Sequence, residues 1–206
     1  MTDFDTDGVY LDASVCRQIG LYTLEAGLGF GWLSADRSRE ISGSADADAE
    51  YVSTLVTVYL GVERPFDISN TFSLIGFGDV RYTRKKDDGY TETGSSANAT
   101  VGGSTTEVIE ARLDVNLERA ANNGGVLVGQ LSGVRRRDLE ESDVSVTVFS
   151  TTQSLSFASN DFTRASVLVG YEHEFVSNMQ FEANAEHQIG DGAQGPNFQA
   201  GICWSY

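Results

Sequence analysis

Three aspartates near the start of the chain have the spacing of calcium ligands. Asp3-x-Asp5-x-Asp7-Gly8 opens like a calcium-binding loop, in which carboxylate oxygens recur at alternate positions. That loop also needs a glutamate at its twelfth position to supply two oxygens, and Ser14 stands there. The alternative is an acidic loop that leads into a strand. We favour this alternative, because the bidentate ligand is missing, and we predict no metal site and no cofactor.

The two histidines, His173 and His187, are the other candidates for chemistry. A catalytic triad needs a histidine beside a serine and an acid, and no Gly-x-Ser-x-Gly segment supplies an exposed nucleophile. Both histidines instead fall within alternating patterns typical of strands, where a polar ring suits a membrane interface. We therefore predict no catalytic residues and no enzymatic activity.

The elements that must position any functional residue are predicted to be strands. Apolar and polar side chains alternate with a period of two, which separates the two classes only in extended backbone. We predict that one face of the sheet is apolar and turned to lipid, and that its members include Leu113, Val115, Val167, Val169, Phe181, Phe198 and Ile202. The other face is predicted to line a polar lumen with the charges of Glu110, Arg112, Asp114, Glu118, Glu172, Glu174, Glu182 and Glu186.

Strands and connections follow one another in a regular order. Short turns alternate with long polar connections, as in outer-membrane barrels, and about nine or ten spanning strands result. Predicted short turns are 18–20, 64–67, 120–125 and 176–178, and predicted long loops are 35–49, 85–104 and 138–162. Predicted strands are 9–18, 21–33, 51–63, 71–84, 107–119, 125–137, 164–175, 179–188 and the C-terminal segment, while 143–157 extends neighbouring strands or forms a structured loop.

Composition is consistent with this layout and excludes one class of partner. The net charge of −16 disfavours nucleic acid, because binding to phosphates requires cations. The chain has only 2 prolines, which suits long hydrogen-bonded strands. No apolar run is long enough for a membrane helix, whereas a barrel strand needs only about 9–11 residues.

The C-terminal residues also have the pattern of a strand. Phe198, Ala200, Ile202, Trp204 and Tyr206 share one parity, and small or polar residues occupy the other. Outer-membrane barrels commonly place aromatic rings at the membrane–water boundary. This pattern predicts a final strand that ends at a membrane face.

The order of these motifs resembles the C-terminal translocator barrel of autotransporters, the type V secretion proteins. Residues 7–36 resemble its paired early strands, and residues 155–171 resemble a late loop and the strand that follows. Arg64-Pro65, followed by a strand and by Tyr90-Thr91-Glu92-Thr93-Gly94, resembles its proline turn, next strand and acidic loop. The C-terminal pattern resembles the family's assembly signal, which would correspond to Gln199, Gly201, Trp204 and Tyr206.

The resemblance implies an all-β fold, an antiparallel up-and-down transmembrane β-barrel with its apolar face outward and a polar lumen. The family has twelve strands, so we expect residues 1–206 to be one domain that is incomplete at its N-terminus. The implied function is to anchor in the Gram-negative outer membrane and to help export a passenger linked in cis. Implied partners are outer-membrane lipid and the barrel assembly machinery, with the long loops outside and the C-terminus in the periplasm.

Two other functions are compatible with the same alternation. A small stand-alone outer-membrane barrel would be an adhesin or a narrow pore. A soluble β-barrel that binds an apolar ligand would reverse the two faces, with charges outside. Exposure of Leu113, Val115 and Val169 distinguishes the soluble barrel from the other two.

Two smaller features have two interpretations each. The family function suggests that Gly27, Gly29 and Gly31 leave room for a chain in the pore, and the alternative is relief of strand curvature. Cys16 and Cys203 could form a disulfide if the first and last strands meet, and the alternative is two buried free thiols.

Overall fold

The computed structural model describes residues 2–140, 143–156, 158–176, 179–193 and 195–204, and every regular element among them is a β-strand. None of these residues forms a helix that is long and apolar enough to cross a membrane. The strands are β1 Thr2–Ile19, β2 Tyr22–Arg39, β3 Ala47–Ser69, β4 Phe72–Asp87, β5 Tyr90–Thr91, β6 Ala99–Val101, β7 Ser104–Ala120, β8 Val126–Glu140, β9 Asp143–Val148, β10 Thr151–Ser156, β11 Phe162–Val176, β12 Met179–Gly190 and β13 Asn197–Trp204.

Nine long strands form the main sheet. Its order is β1-β2-β3-β4-β7-β8-β11-β12-β13, and every neighbouring pair is antiparallel. The up-and-down order predicted from the sequence is therefore confirmed. Across the described residues, β1 and β13 are the two edges of the sheet and no ladder joins them.

The two ends of the main sheet differ in how strands are connected. At one end, β1 meets β2 and β3 meets β4 through two-residue turns, and we name this the short-turn end. At the other end, 40–46, 88–103 and 141–161 connect the strands, and we name this the long-loop end. The long loops carry a second, four-stranded sheet in the order β10-β9-β6-β5.

The main sheet has one apolar and one polar face. Residues that face each other in the ladders point to the same side, so the rows can be followed from strand to strand. Val15, Ala26, Leu60, Val80 and Ala111 form one such row. Large residues at the middle of the apolar face, such as Leu60 and Leu113, are exposed, whereas the buried residues of the long strands include Ser53, Thr57, Asp114 and Ser132 of the polar face. The enclosed side of the sheet is thus the polar one.

Several predicted boundaries are wrong. Residues 64–67 lie inside β3, and the turn is at Asn70 and Thr71. Pro65 lies beyond the last β2–β3 pair and retains only β4 as a neighbour, so its missing N–H costs no ladder bond. Asp3–Gly8 is part of β1 rather than a loop, since β1 pairs with β2 from Thr2 onward.

The long connections are more ordered than the sequence indicates. The predicted loop 35–49 shrinks to 40–46, because β2 and β3 both extend into it. Residues 143–157 include a hairpin, β9–β10, in which Phe149 and Ser150 adopt positive φ at the turn. The predicted turn 176–178 falls largely outside the described residues.

Candidate functional site: the two faces of the main sheet

The predicted lumen charges on β7 lie on the polar face, where Asp114 is the most enclosed. Asp114 is 5% exposed and accepts a hydrogen bond from the Ser132 hydroxyl on β8. The Arg112 Nε lies 2.7 Å from Asp114 Oδ2. A carboxylate can be buried here because one charged and one neutral donor satisfy it. Glu110 faces Arg136, and Glu118 faces Val128 near the short-turn end.

The four predicted charges on β11 and β12 form a separate acidic lane on the same face. Glu172 and Glu182 face each other directly across the two strands. Gln180 donates to Glu172 through a 3.2 Å contact, and Gln188 donates to Glu186 through one of 3.4 Å. Glu174 faces Gln180 in the ladder. Like charges placed opposite each other are destabilising, so this lane requires water around it.

The glycine run of β2 packs under two tyrosines. Added Cβ atoms would overlap the Tyr59 side chain at Gly27 and the Tyr10 hydroxyl at Gly29. At Gly31, the same atom would lie 3.1 Å from the Tyr10 ring. The space above these glycines is therefore filled by rings from the neighbouring strands. Neither interpretation offered from the sequence included this packing.

The tyrosines belong to a polar cluster that sequence reasoning missed. The Tyr59 hydroxyl donates to Glu25 at 3.2 Å, and the Arg81 guanidinium lies 5.3 Å from the Tyr59 ring centre. These side chains line a cavity of about 280 Å³ together with Asp12, Asp79 and Arg112. The alternation of polar and apolar positions could have indicated this cluster, because all of its residues lie on the polar face. The register that brings them together is not readable from the sequence.

The residues predicted to face lipid all lie on the apolar face. Leu113 is 71% exposed, Val169 59% and Phe198 75%. Val115, Val167 and Ile202 are also exposed, and Phe181 is half-buried. Exposed apolar side chains opposite an enclosed polar face are the reverse of a soluble barrel's arrangement.

The C-terminal strand pairs with β12 through its predicted signal residues. Gln199 faces Asn184, Gly201 faces Glu182, and Trp204 faces Met179. Trp204 is 62% exposed at the short-turn end of the apolar face. Tyr206, the last residue of the predicted signal, lies outside the described residues.

The candidates for chemistry are not assembled into a reactive site. His173 packs between the Tyr171 and Phe175 rings, and its Nδ1 is buried without a hydrogen-bond partner. His187 faces Val167 on the apolar face. No group of three potential metal ligands occurs among the described residues.

The cysteines are both free. Cys16 and Cys203 lie on the two edge strands and are exposed, so the expectation that unpaired thiols would be buried is wrong.

At the long-loop end, an ion pair fixes the loop sheet to the main sheet. Glu92 is 3% exposed and receives two hydrogen bonds from Arg39, at 3.1 Å and 2.5 Å. The Ala99 N–H donates to the same carboxylate at 2.8 Å. These donors, Arg39 first, hold the pKa of Glu92 below its usual value. Tyr90 extends the contact by accepting a 2.6 Å hydrogen bond from Arg37.

Known structures share this arrangement of strands. The translocator domain of the autotransporter NalP from Neisseria meningitidis is 17% identical, with a TM-score of 0.60 over 100% of this chain and 68% of that chain. The ferric yersiniabactin uptake receptor FyuA from Yersinia pestis is 10% identical, with a TM-score of 0.63 over 100% of this chain and 34% of that chain. The ferric citrate transporter FecA is 10% identical, with a TM-score of 0.55 over 89% of this chain and 27% of that chain.

These likenesses establish the fold, and the chain spans only about a third of FyuA's length. No curated protein is significantly similar in sequence. The sequence profile of the autotransporter beta-domain matches residues 2–194, which is nearly the whole chain. With its up-and-down antiparallel strands and exposed apolar face, the chain belongs to the autotransporter β-domain family.

Proposed function

We propose that this chain is an outer-membrane translocator barrel, which anchors in the Gram-negative outer membrane and helps to export a passenger linked to it in cis. The observation that carries the proposal is that a chain matching the autotransporter beta-domain forms a sheet with one exposed apolar face and one enclosed polar face. Exposed Leu113, Val169 and Phe198 would face lipid, and the charges around Asp114 would face a water-filled lumen. The chain's own residues then provide a path and an anchor, and catalysis is not part of the function.

The proposed orientation follows from the two ends of the sheet. Short turns at one end and long, structured loops at the other are the arrangement of outer-membrane barrels, with the long loops outside. Trp204 would then lie at the periplasmic boundary, and the segment from Gln199 to Tyr206 would be read by the barrel assembly machinery. The exposure of the Trp204 ring at the short-turn end of the apolar face supports this assignment.

Placing charge at the predicted lipid boundary would cost stability. A lysine or arginine at the middle of the lipid face costs about 2–4 kcal/mol and an acid somewhat less, so the charges of the lumen set are proposed to lie on the water-filled side. The alternating rows of the main sheet support this proposal, because the predicted acidic side chains of β7, β11 and β12 all share the polar face.

The test is export of a reporter domain fused upstream of this chain in a Gram-negative cell. We expect the reporter to be cleaved by protease added outside intact cells. The folded barrel should also migrate differently on gels when it is left unheated. Gly201→Glu, placed in the proposed assembly signal, should reduce both signals, whereas Gly195→Glu, in open space, should reduce neither. A folded barrel that leaves the reporter in the periplasm would contradict the translocator function.

A further inference from the structure

The apolar face carries arginines at both of its ends, and those at the short-turn end share their part of the face with no acid among the described residues. Arg17 is in the row of Leu24 and Val62, Arg64 faces Gly76, and Arg119 faces Phe72. These three cations therefore share the face of the exposed leucines and valines. Among the described residues, the half of the apolar face nearest the short turns carries no aspartate or glutamate.

The opposite end of the same face has the opposite charge on β1 to β3. Asp5, Asp36 and Glu50 lie directly beside one another across three strands. Asp3, Asp7 and Asp48 surround them. In a chain of net charge −16, a band with three arginines and no acid is a local exception. It favours an anionic partner at the short-turn end.

Aromatic rings hold two of the arginines at the surface. The Arg64 guanidinium lies 5.0 Å from the Tyr22 ring centre and 4.5 Å from that of Phe66. It also donates to the Tyr22 hydroxyl at 2.7 Å, while its Nε is buried without a partner. Arg119 lies 5.0 Å from the ring centre of Phe72. Stacking on rings orients a guanidinium and leaves its outer N–H groups available for an anion.

An apolar groove starts beside Arg17 and crosses five strands. Its volume is about 810 Å³, and its lining includes Val15, Leu60, Val62 and Leu113. The groove exists because small residues, Ala26, Gly78 and Ala111, occupy the rows between larger ones. A cation next to an elongated apolar groove matches a molecule with an anionic head and an acyl tail.

We propose that Arg17, Arg64 and Arg119 bind the phosphate groups of phospholipids, and that the groove beside Arg17 seats an acyl chain. This proposal rests on the proposed membrane location, in which the short-turn end lies at the periplasmic leaflet. Guanidinium groups pair with phosphate oxygens in a two-pronged geometry. Basic side chains near a membrane surface each strengthen binding to anionic lipid roughly fivefold, so three arginines together contribute about a hundredfold.

The test measures lipid retention by the purified barrel in detergent, using native mass spectrometry. Phosphatidylglycerol is compared with a digalactosyl diacylglycerol of the same acyl chains, which lacks phosphate. We expect preferential retention of phosphatidylglycerol and its loss, by about a hundredfold, in Arg17→Gln/Arg64→Gln/Arg119→Gln. The matched control, Arg84→Gln/Arg135→Gln/Arg137→Gln, removes three charges at the long-loop end and should retain the lipid. Equal retention of both lipids by the wild type would overturn the proposal.

Two further variants keep the test independent of folding defects. The Arg17 side chain makes no hydrogen bond or ion pair with the described residues, so Arg17→Gln alone should fold and lose roughly fivefold in retention. Ala111→Phe fills the groove and should weaken retention, whereas Ala165→Phe, outside the groove, should not. If soluble glycerol phosphate displaces the lipid as well as a second phospholipid does, the groove has no role and that part is wrong. A heat-dependent gel shift in each variant separates lost lipid binding from a failed barrel.

Discussion

The packing of Tyr59 over Gly27 predicts that a single methyl group destabilises the sheet. An alanine Cβ at Gly27 would overlap three Tyr59 atoms, the ring's Cζ and Cε1 and the hydroxyl oxygen, because it would lie closer to each than van der Waals contact allows. Because carbon atoms pack best at about 3.5–4.0 Å, the ring would have to move by about 1 Å or more. That movement would also disturb the 3.2 Å hydrogen bond from Tyr59 to Glu25.

Overpacking of this kind costs about 1–3 kcal/mol of unfolding free energy. We would measure it by urea unfolding of the barrel in detergent, followed by tryptophan fluorescence and by the gel shift of folded protein. The matched control is Gly133→Ala on β8, where an added Cβ meets nothing within 4 Å. We expect Gly133→Ala to be close to neutral.

A double-mutant cycle tests the cause. If Tyr59 is the obstacle, Gly27→Ala should cost much less in a Tyr59→Ala background than in the wild type. The reasoning is refuted if Gly27→Ala and Gly133→Ala are equally stable. It is also refuted if removing the ring leaves the cost of the Gly27 methyl unchanged.

Three further predictions concern the loops and the apolar face. Because Arg39 lowers the folded pKa of Glu92, this pair's contribution to loop stability should be present above about pH 4.5 and be lost as the pH falls through the lowered pKa. The rate of protease cleavage within 88–103, followed between pH 3 and 7, measures this loss. Glu92→Gln should remove the pH dependence. Leu113→Arg should cost about 2–4 kcal/mol of unfolding free energy in lipid vesicles, whereas Asn116→Arg on the polar face should cost much less. Equal costs would contradict the assigned faces. Gly190 has a φ of 114°, and a Cβ added there would overlap the Thr163 carbonyl oxygen. Gly190→Ala should therefore lower the free energy of unfolding by about 1–3 kcal/mol and raise the rate of hydrogen exchange at the start of β11.

Alternation along single strands made the faces predictable, but not the contacts between strands. Leu113 and Asp114 were assigned to opposite faces because polar and apolar residues alternate from Ile109 to Glu118 in β7. Pro65 misled the prediction, because a proline signals a turn unless the strand has lost one neighbour at that position. The pair of Arg39 and Glu92 could not be predicted, since 53 residues separate them and two loops must first take their shape.

The tyrosines above the β2 glycines also help to fix the register between the strands. Sliding β3 by one residue would turn Tyr59 to the other face of the sheet. Sliding it by two residues would place the ring over Gly29, which the Tyr10 hydroxyl already covers, or over Glu25. The Tyr59 and Tyr10 rings, each packed over a glycine of β2, therefore fit only one alignment of β1, β2 and β3. Strands with the same alternating pattern could otherwise pair in several registers. Here the correct register is selected by two glycines, Gly27 and Gly29, whose missing side chains leave room for the rings.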